Sequence, residues 1–392
     1  MNGFTYYAPT KVFFGRDCVK MCGQAAKEFG ATRVLIHYGG QTCVKNGLLC
    51  AVEKYVSEQG LFYITLGGAR PNPVLSLVRE GIDICKREKI DFIIAVGGGS
   101  VIDSAKAIAL GIANPDLDIW DDIYARKVAP TASTPVGVIL TIAAAGSETS
   151  ASAVITEDET GIKKGFGSDL NRPRFACMDP CLTYSLPPYQ TACGIVDIMM
   201  HTIGRYFASG RGNEMSDRIA EQLLSNVIVY GKIAMDKPDD YKARSEIMWA
   251  GSLSHNGLTG LGSSQAFVVH PLAHPLSGIY NATHGASLAV LWCKWARYVY
   301  EKDWERFAQY AVNVWACDEA SPTLALDGIE KTETFFRQLG MPLSFSELGI
   351  GILSEEELML MADRVTDGGT KTIGHIPLGY EDVINIYRSA NI

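Results

Sequence analysis

Asp197 and His201 stand four residues apart in Gly194-Ile-Val-Asp-Ile-Met-Met-His201, and a second His-rich stretch carries His270, His274 and His284. A carboxylate with several imidazoles suits Fe(II) or Zn(II), because imidazole is a borderline donor and a carboxylate adds negative charge without the softness of a thiolate. Of the 7 histidines, His201, His255, His270, His274 and His284 all fall between positions 201 and 284, a clustering that chance rarely produces. A helix over Pro188–Tyr206 would project Asp197 and His201 from one face, since residues four apart are neighbours on a helix surface, and Pro188 suits its first turn. A plain Asp–His hydrogen bond on a core helix accounts for the first pair but not for the cluster, which reads as a divalent-metal site. Spacing alone does not exclude His274 as a ligand. His255 reads as structural or rim-lining, and His37 and His375 as ordinary.

A second chemistry is written in Gly97-Gly98-Gly99-Ser100, placed where a buried strand should turn into a helix. Small residues there let backbone N–H groups approach a pyrophosphate at the positive helix end, although a tight turn alone would also use them. Asp103 and Lys106 follow in the first two turns of that helix, and Asp103 either complements its dipole or contacts a ribose or the nicotinamide edge. The earlier turn Tyr38-Gly39-Gly40-Gln41-Thr42-Cys43-Val44-Lys45 carries no acid, whereas NAD-selective sites usually place one against the ribose 2′-hydroxyl. Gly39, Gly40 and Gln41 offer space and donors to a 2′-phosphate and Lys45 adds charge, so NADP(H) is expected in preference to NAD(H).

These residues need a scaffold, and 392 residues imply two domains. Strand-like runs at 33–38, 61–66 and 91–96 alternate with helical stretches through about Gln59, over 74–88 and over 101–112. Such alternation implies a mostly parallel sheet covered by helices. Further strands are expected at 136–141 and 174–178, with a hairpin around 151–166 turning at Asp158-Glu-Thr-Gly161. After Pro187-Pro188 strand signals almost vanish and helices are expected at 215–235, 241–256 and 288–316. Pro271 and Pro275 should break or restart a helix, because an interior proline costs about 3 kcal/mol. The boundary falls near Leu182–Pro188, giving an α/β dinucleotide-binding domain over 1–185 and an all-helical metal-binding domain over 186–392.

Composition narrows the partners. The chain is 47% hydrophobic and 20% charged, values of a globular protein, and no run approaches the roughly 18 apolar residues of a membrane span. A net charge of −8 without an extended basic run argues against nucleic-acid or anionic-membrane partners. The N-terminus shows neither a basic leader nor an apolar stretch, so a cytoplasmic location is expected. The 10 cysteines are scattered without a Cys-x-x-Cys pair and read as reduced thiols.

Taken together, Gly97-Gly-Gly-Ser-Val-Ile-Asp-Ser-Ala-Lys106, Ala145-Gly-Ser-Glu148, Asp179-Pro-Cys-Leu-Thr183 with Leu186-Pro187, the Asp197/His201 pair and His270-Pro-Leu-Ala-His274 resemble the iron-containing, or group III, alcohol dehydrogenases. Phe13-Phe-Gly15, Pro71-Asn-Pro73 and Leu339-Gly-Met-Pro342 extend the likeness over nearly the whole chain, and within the family it is strongest to NADPH-dependent butanol dehydrogenases and broad-range aldehyde reductases. The resemblance implies a Rossmann-like domain, a helical domain, a cleft between them holding one divalent ion, and a homodimer. Carried onto matching positions, it makes Asp197, His201, His270 and His284 the ligands of Fe(II), with Zn(II) or Mn(II) as alternatives, and sets His274 on the substrate side as a contact or proton relay. Thr141 and Lys163 would lie near the nicotinamide half of the cofactor, and Leu182 would pack against the nucleotide. The implied activity is NAD(P)H-linked interconversion of small primary alcohols and aldehydes such as butanol and butanal; the alternatives are a glycerol-type polyol dehydrogenase or a non-redox relative that binds metal and nucleotide. Ala145 stands where relatives often have Thr, and Ser150 where they can have Asn, which places single cofactor contacts, not the metal set, in question.

Overall fold

The computed structural model describes residues 2–208, 213–263 and 267–392. The chain divides into two compact units, Tyr7–Ser185 and Leu186–Ile392, the latter joined by the residues up to Tyr6. The sequence assigned those first residues to the α/β domain. They belong with the helical unit, where the Asn2 side-chain amide donates to the Gly262 carbonyl at 2.9 Å.

The first unit is built on a six-stranded parallel sheet in the order β1-β8-β5-β4-β2-β3. Its strands are β1 (Lys11–Phe14), β2 (Arg33–Tyr38), β3 (Phe62–Leu66), β4 (Phe92–Gly97), β5 (Val136–Leu140) and β8 (Phe175–Met178), while β6 (Ser152–Thr156) and β7 (Lys163–Gly167) form the antiparallel hairpin. Between them run α1 (Cys22–Glu28), α2 (Thr42–Lys45), α3 (Leu48–Ser57), α4 (Leu75–Glu88) and α5 (Gly99–Ala113). The central strands are near-continuous apolar runs because both faces are covered. Val34 and Ile36 pack with Cys22 and Ala25 of α1 and Val52 and Val56 of α3, whereas His37, pointing the other way, meets Ser104 of α5.

Three local expectations change. The stretch expected as one helix to Gln59 is two, because Asn46-Gly47 interrupts it: Gly47 adopts φ +80° and Asn46 Oδ1 accepts from Leu48 N. The edge strand β1, pairing Phe13 with Cys177 of β8, was not anticipated, being short and half-exposed. The stretch 288–316 is a helix to Val299, a 3₁₀ turn Tyr300–Asp303 and a second helix from Trp304. Buried Asp303, at the end of that turn, is bonded by His375 Nε2 at 3.1 Å, from a residue 72 positions away.

The helical unit holds α6 (Pro188–Tyr206), α7 (Glu214–Asp236), α8 (Tyr241–His255), α9 (Val269–Tyr280), α10 (His284–Val299), α11 (Trp304–Trp315), α12 (Leu324–Gln338), α13 (Glu355–Thr366) and α14 (Tyr380–Ala390). Its core includes the fully buried rings of Tyr206, Trp292, Phe307, Tyr310, Phe335 and Phe336. Pro271 and Pro275 do not break α9. The helix begins at Val269, so Pro271 lies in the first turn, where its missing N–H has no intrahelical partner to lose, and Pro275 alone sits inside. No described helix is long and apolar enough to cross a membrane.

Candidate metal centre and nucleotide site

Helix α6 is buried along nearly its whole length, which is the pattern of a central core helix, and it carries Asp197 and His201, each 5% exposed, on consecutive turns. His201 Nδ1 lies 3.3 Å from Asp197 Oδ1, His270 Nε2 3.7 Å and His284 Nε2 3.8 Å from that same oxygen. Ligand atoms of Asp197, His201 and His270 all fall within 4.8 Å of one another. His284, at the start of α10, approaches the carboxylate from the edge of this set. The backbone allows it because residue 285 is glycine: a Cβ there would lie 2.3 Å from the Cys193 carbonyl oxygen of α6.

These donor atoms fit a cation. Asp197 Oδ1, His201 Nδ1 and His270 Nε2 are buried and make no hydrogen bond among the described residues, although a buried polar atom normally has a partner. Their spacing approximates the edge of a coordination tetrahedron, roughly 3.4 Å for metal–nitrogen bonds of about 2.1 Å. Burial, reinforced by the neighbouring His255, His270 and Arg205, holds the His201 imidazole well below its ordinary pKa. It is therefore neutral with a lone pair to offer, as a ligand must be. Thiolates take no part among the described residues, and the nitrogen–carboxylate set suits Fe(II), Zn(II) or Mn(II).

His274 follows His270 by one turn of α9, and its ring stacks beside that of His284 at 6.5 Å. It lies outside the converging set. His255, read as structural or rim-lining, stands edge-on against His201 with ring centroids 4.0 Å apart. His37 and His375 lie elsewhere, each in an ordinary hydrogen bond.

In the α/β unit, β2 connects outward to β3 on one side of the sheet while β4 connects to β5 on the other. The chain thus switches direction between β2 and β4, where open α/β sheets bind ligands beyond the strand ends. Tyr38 pairs with Val96 in that register, so Gly39-Gly40-Gln41 and Gly97-Gly98-Gly99-Ser100 emerge side by side. A Cβ on Gly39 would lie 3.3 Å from Val101 Cγ2, and one on Gly40 would meet nothing within 4 Å. Gly97 and Gly98 are required by packing, since added Cβ atoms would lie 2.4 Å from Val101 Cγ2 and 2.1 Å from Ile142 Cγ2. Gly99 and Ser100 open α5, where N–H groups have no intrahelical acceptor.

The remaining nucleotide candidates are placed differently. Thr141 follows β5 directly, its N–H bonded to the Gly97 carbonyl at 3.1 Å. Lys163 opens β7 and donates to Asn72 Oδ1 at 3.0 Å. Leu182, partly buried, packs on the core that includes Ile36, Cys43 and Val96. Asp103 is occupied within the unit, one oxygen accepting from Ser147 Oγ and the other from Val154 N. Lys106, overlooked as a structural element, donates to the carbonyls of Ser147, Ser150 and Ser152 at 2.7–3.1 Å. Burial raises the Asp103 carboxyl and lowers the Lys106 ammonium to about 8, each shift opposed by the other's charge. The pair pins α5 to the 147–154 segment.

Residues 9–180 match the model of the iron-containing alcohol dehydrogenases, and residues 191–391 that of the C-terminal domain of the Fe-containing alcohol dehydrogenase family. The chain belongs to the iron-containing alcohol dehydrogenase family. Among iron-containing alcohol dehydrogenases it is 40% identical over 395 residues, covering all of both chains, to the NADH-dependent butanol dehydrogenase A of Clostridium acetobutylicum. It is 36% identical to the NADPH-dependent aldehyde reductase YqhD of Escherichia coli, over 89% of this chain and 90% of that one. The crystal structure of NADH-dependent butanol dehydrogenase A from Thermotoga maritima superposes with a TM-score of 0.95 at 34% identity, covering 100% and 99% of the two chains. The resemblance carried by the sequence motifs, the parallel-sheet domain and the helical domain are those of the iron-containing alcohol dehydrogenases. The relatives' names divide between the two nicotinamide cofactors, so family membership by itself does not choose one.

Proposed function

We propose that this protein is a metal-dependent, NAD(P)H-linked alcohol dehydrogenase interconverting small primary alcohols and aldehydes of the butanol and butanal class, with NADP(H) preferred. The observation that carries the reading is the convergence of Asp197 Oδ1, His201 Nδ1 and His270 Nε2 without hydrogen-bond partners among the described residues. Bound there, a divalent ion supplies Lewis-acid polarisation of a carbonyl or alcohol oxygen, and a nicotinamide supplies or accepts the hydride. Asp197 contributes the negative charge that offsets burying a cation, and the imidazoles of His201, His270 and His284 complete the set. His274, one turn beyond a ligand, holds or moves a proton at a ring nitrogen on the substrate side.

In the α/β unit, Gly99 and Ser100 direct N–H groups to the pyrophosphate, and Thr141 and Lys163 attend the nicotinamide half. The preference for NADP(H) is supported by the acid-free turn after β2, where Gly39, Gly40 and exposed Gln41 leave a 2′-phosphate unopposed. The relatives' names bear on both substrates and cofactors: butanol dehydrogenase with NADH, aldehyde reductase with NADPH. A homodimer is the proposed assembly. Protein purified without air, analysed for metal and assayed with NADPH and NADH on an aldehyde panel that includes butanal, tests the whole reading. Absence of a stoichiometric metal, or of nicotinamide turnover with any aldehyde, defeats it.

A further inference from the structure

We propose that Arg205 is a positioning residue for the metal centre, acting on His201 and His270 through Phe267 and through the ends of α6 and α8. Arg205 follows His201 by one helical turn and is 4% exposed. Its Nη1 donates to the His201 carbonyl at 2.9 Å and to the Ser254 carbonyl at 2.8 Å. One nitrogen thus ties the ligand-bearing turn of α6 to the last turn of α8, beside His255.

The guanidinium carbon of Arg205 lies over the Phe267 ring, 4.8 Å from its centroid. That ring in turn stands edge-on to His201 at 6.2 Å and to His270 at 5.2 Å, and lies flat along His255 at 6.3 Å. Three imidazoles from three elements therefore rest on one phenyl ring, itself held by one cation. Two glycines make the arrangement sterically open. A Cβ on Gly204 would lie 2.5 Å from Phe267 Cδ1, and a Cβ on Gly260 would lie 2.8 Å from Arg205 Cδ. His201 Nδ1 and His270 Nε2 make no hydrogen bond among the described residues, so packing against Phe267 is what orients these two rings, as orientation by neighbours commonly does around metal ligands.

A lysine cannot replace this arrangement, because a point charge lacks both the flat face and the planar fork of donors. The inference rests on the metal-site reading, and the experiment separates the two. Co(II) is titrated into metal-depleted wild-type protein, Asp197→Ala, Arg205→Lys and Phe267→Leu, following the visible absorption of the bound ion, with thermal unfolding of each metal-depleted protein in parallel. The expected result is tight one-site binding to wild type, none to Asp197→Ala, and a loss of about tenfold or more in affinity with an altered band shape for both Arg205→Lys and Phe267→Leu, while metal-depleted unfolding temperatures stay near wild type. Unchanged affinity and spectrum in both variants overturns the role of Arg205, as does weakened binding matched by an equal loss of metal-free stability. Equal Co(II) binding by wild type and Asp197→Ala instead overturns the metal-site reading.

Discussion

Asp197 Oδ1 and His201 Nδ1 lie 3.3 Å apart on successive turns of α6, yet neither makes a hydrogen bond among the described residues. Two buried groups of complementary chemistry that approach without bonding are arranged toward a third body. Asp197→Ala should therefore abolish metal retention and activity together, and stripping the wild type with a chelator should lower its unfolding temperature. At an ion concentration 1,000-fold above Kd the stabilisation lost is about 4 kcal/mol, measurable by calorimetry with metal analysis alongside. An active, metal-free Asp197→Ala protein would remove the site.

His274→Ala is expected to keep its metal and to lose about 100-fold in kcat, the usual weight of a positioned acid or base. Metal content and steady-state kinetics decide. Loss of the metal would make His274 a ligand instead, and unchanged turnover would leave it without a proton role.

Gly285→Ala tests how closely α10 must approach α6. The added Cβ would fall 2.3 Å from the Cys193 carbonyl oxygen, backbone that cannot rotate away, so the start of α10 and His284 must shift outward. The expected cost is about 1–3 kcal/mol with weakened metal binding, read by denaturant unfolding and metal titration. A variant as stable and as tightly metallated as wild type contradicts the geometry.

Cofactor choice is tested at the turn after β2. Gly40→Asp, placed in open space, and Gly39→Asp, whose Cβ would lie 3.2 Å from the Ala69 carbonyl oxygen and 3.3 Å from Val101 Cγ2, should each lower kcat/KM for NADPH relative to NADH. The expected shift is about tenfold, or about 1.4 kcal/mol. Unchanged ratios in both variants would separate this turn from the ribose.

His37 gives the α/β unit an acid sensitivity. Its Nδ1 must carry the proton, since the Leu66 carbonyl 2.9 Å away only accepts, and its Nε2 meets Ser104 Oγ at 2.9 Å. Burial lowers its pKa from 6.5 to about 4. Between those values the unfolded chain binds the extra proton and the folded one does not, so this contribution is complete above pH 6.5 and is lost as pH falls toward 4. The full loss is on the order of 3 kcal/mol. His37→Gln should flatten the stability profile across that window relative to wild type, as followed by urea unfolding. An identical slope in the variant refutes the assignment.

Much of this was legible without coordinates because chemistry and periodicity are local. Asp197 and His201 declare their shared face through a spacing of four, helix α6 begins at Pro188 and ends at Tyr206 as the pattern requires, and Gly97-Gly98-Gly99-Ser100 marks a strand-to-helix turn by composition. What failed has two sources: the local Asn46-Gly47 turn divides one expected helix, and Asp303, bonded to His375 72 positions away, stands where another divides.

The sequence alone determined the donor types, the alternating α/β first half, the helical second half and the family motifs, since each is a property of residues near one another in the chain. Only the tertiary structure decided that one oxygen of Asp197 faces imidazoles from three helices, that Asp103 and Lys106 are taken up inside the α/β unit, and that Arg205 reaches the ligands through Phe267. Those relations depend on side-chain directions and on helix packing between residues tens of positions apart, and local spacing carries no record of either.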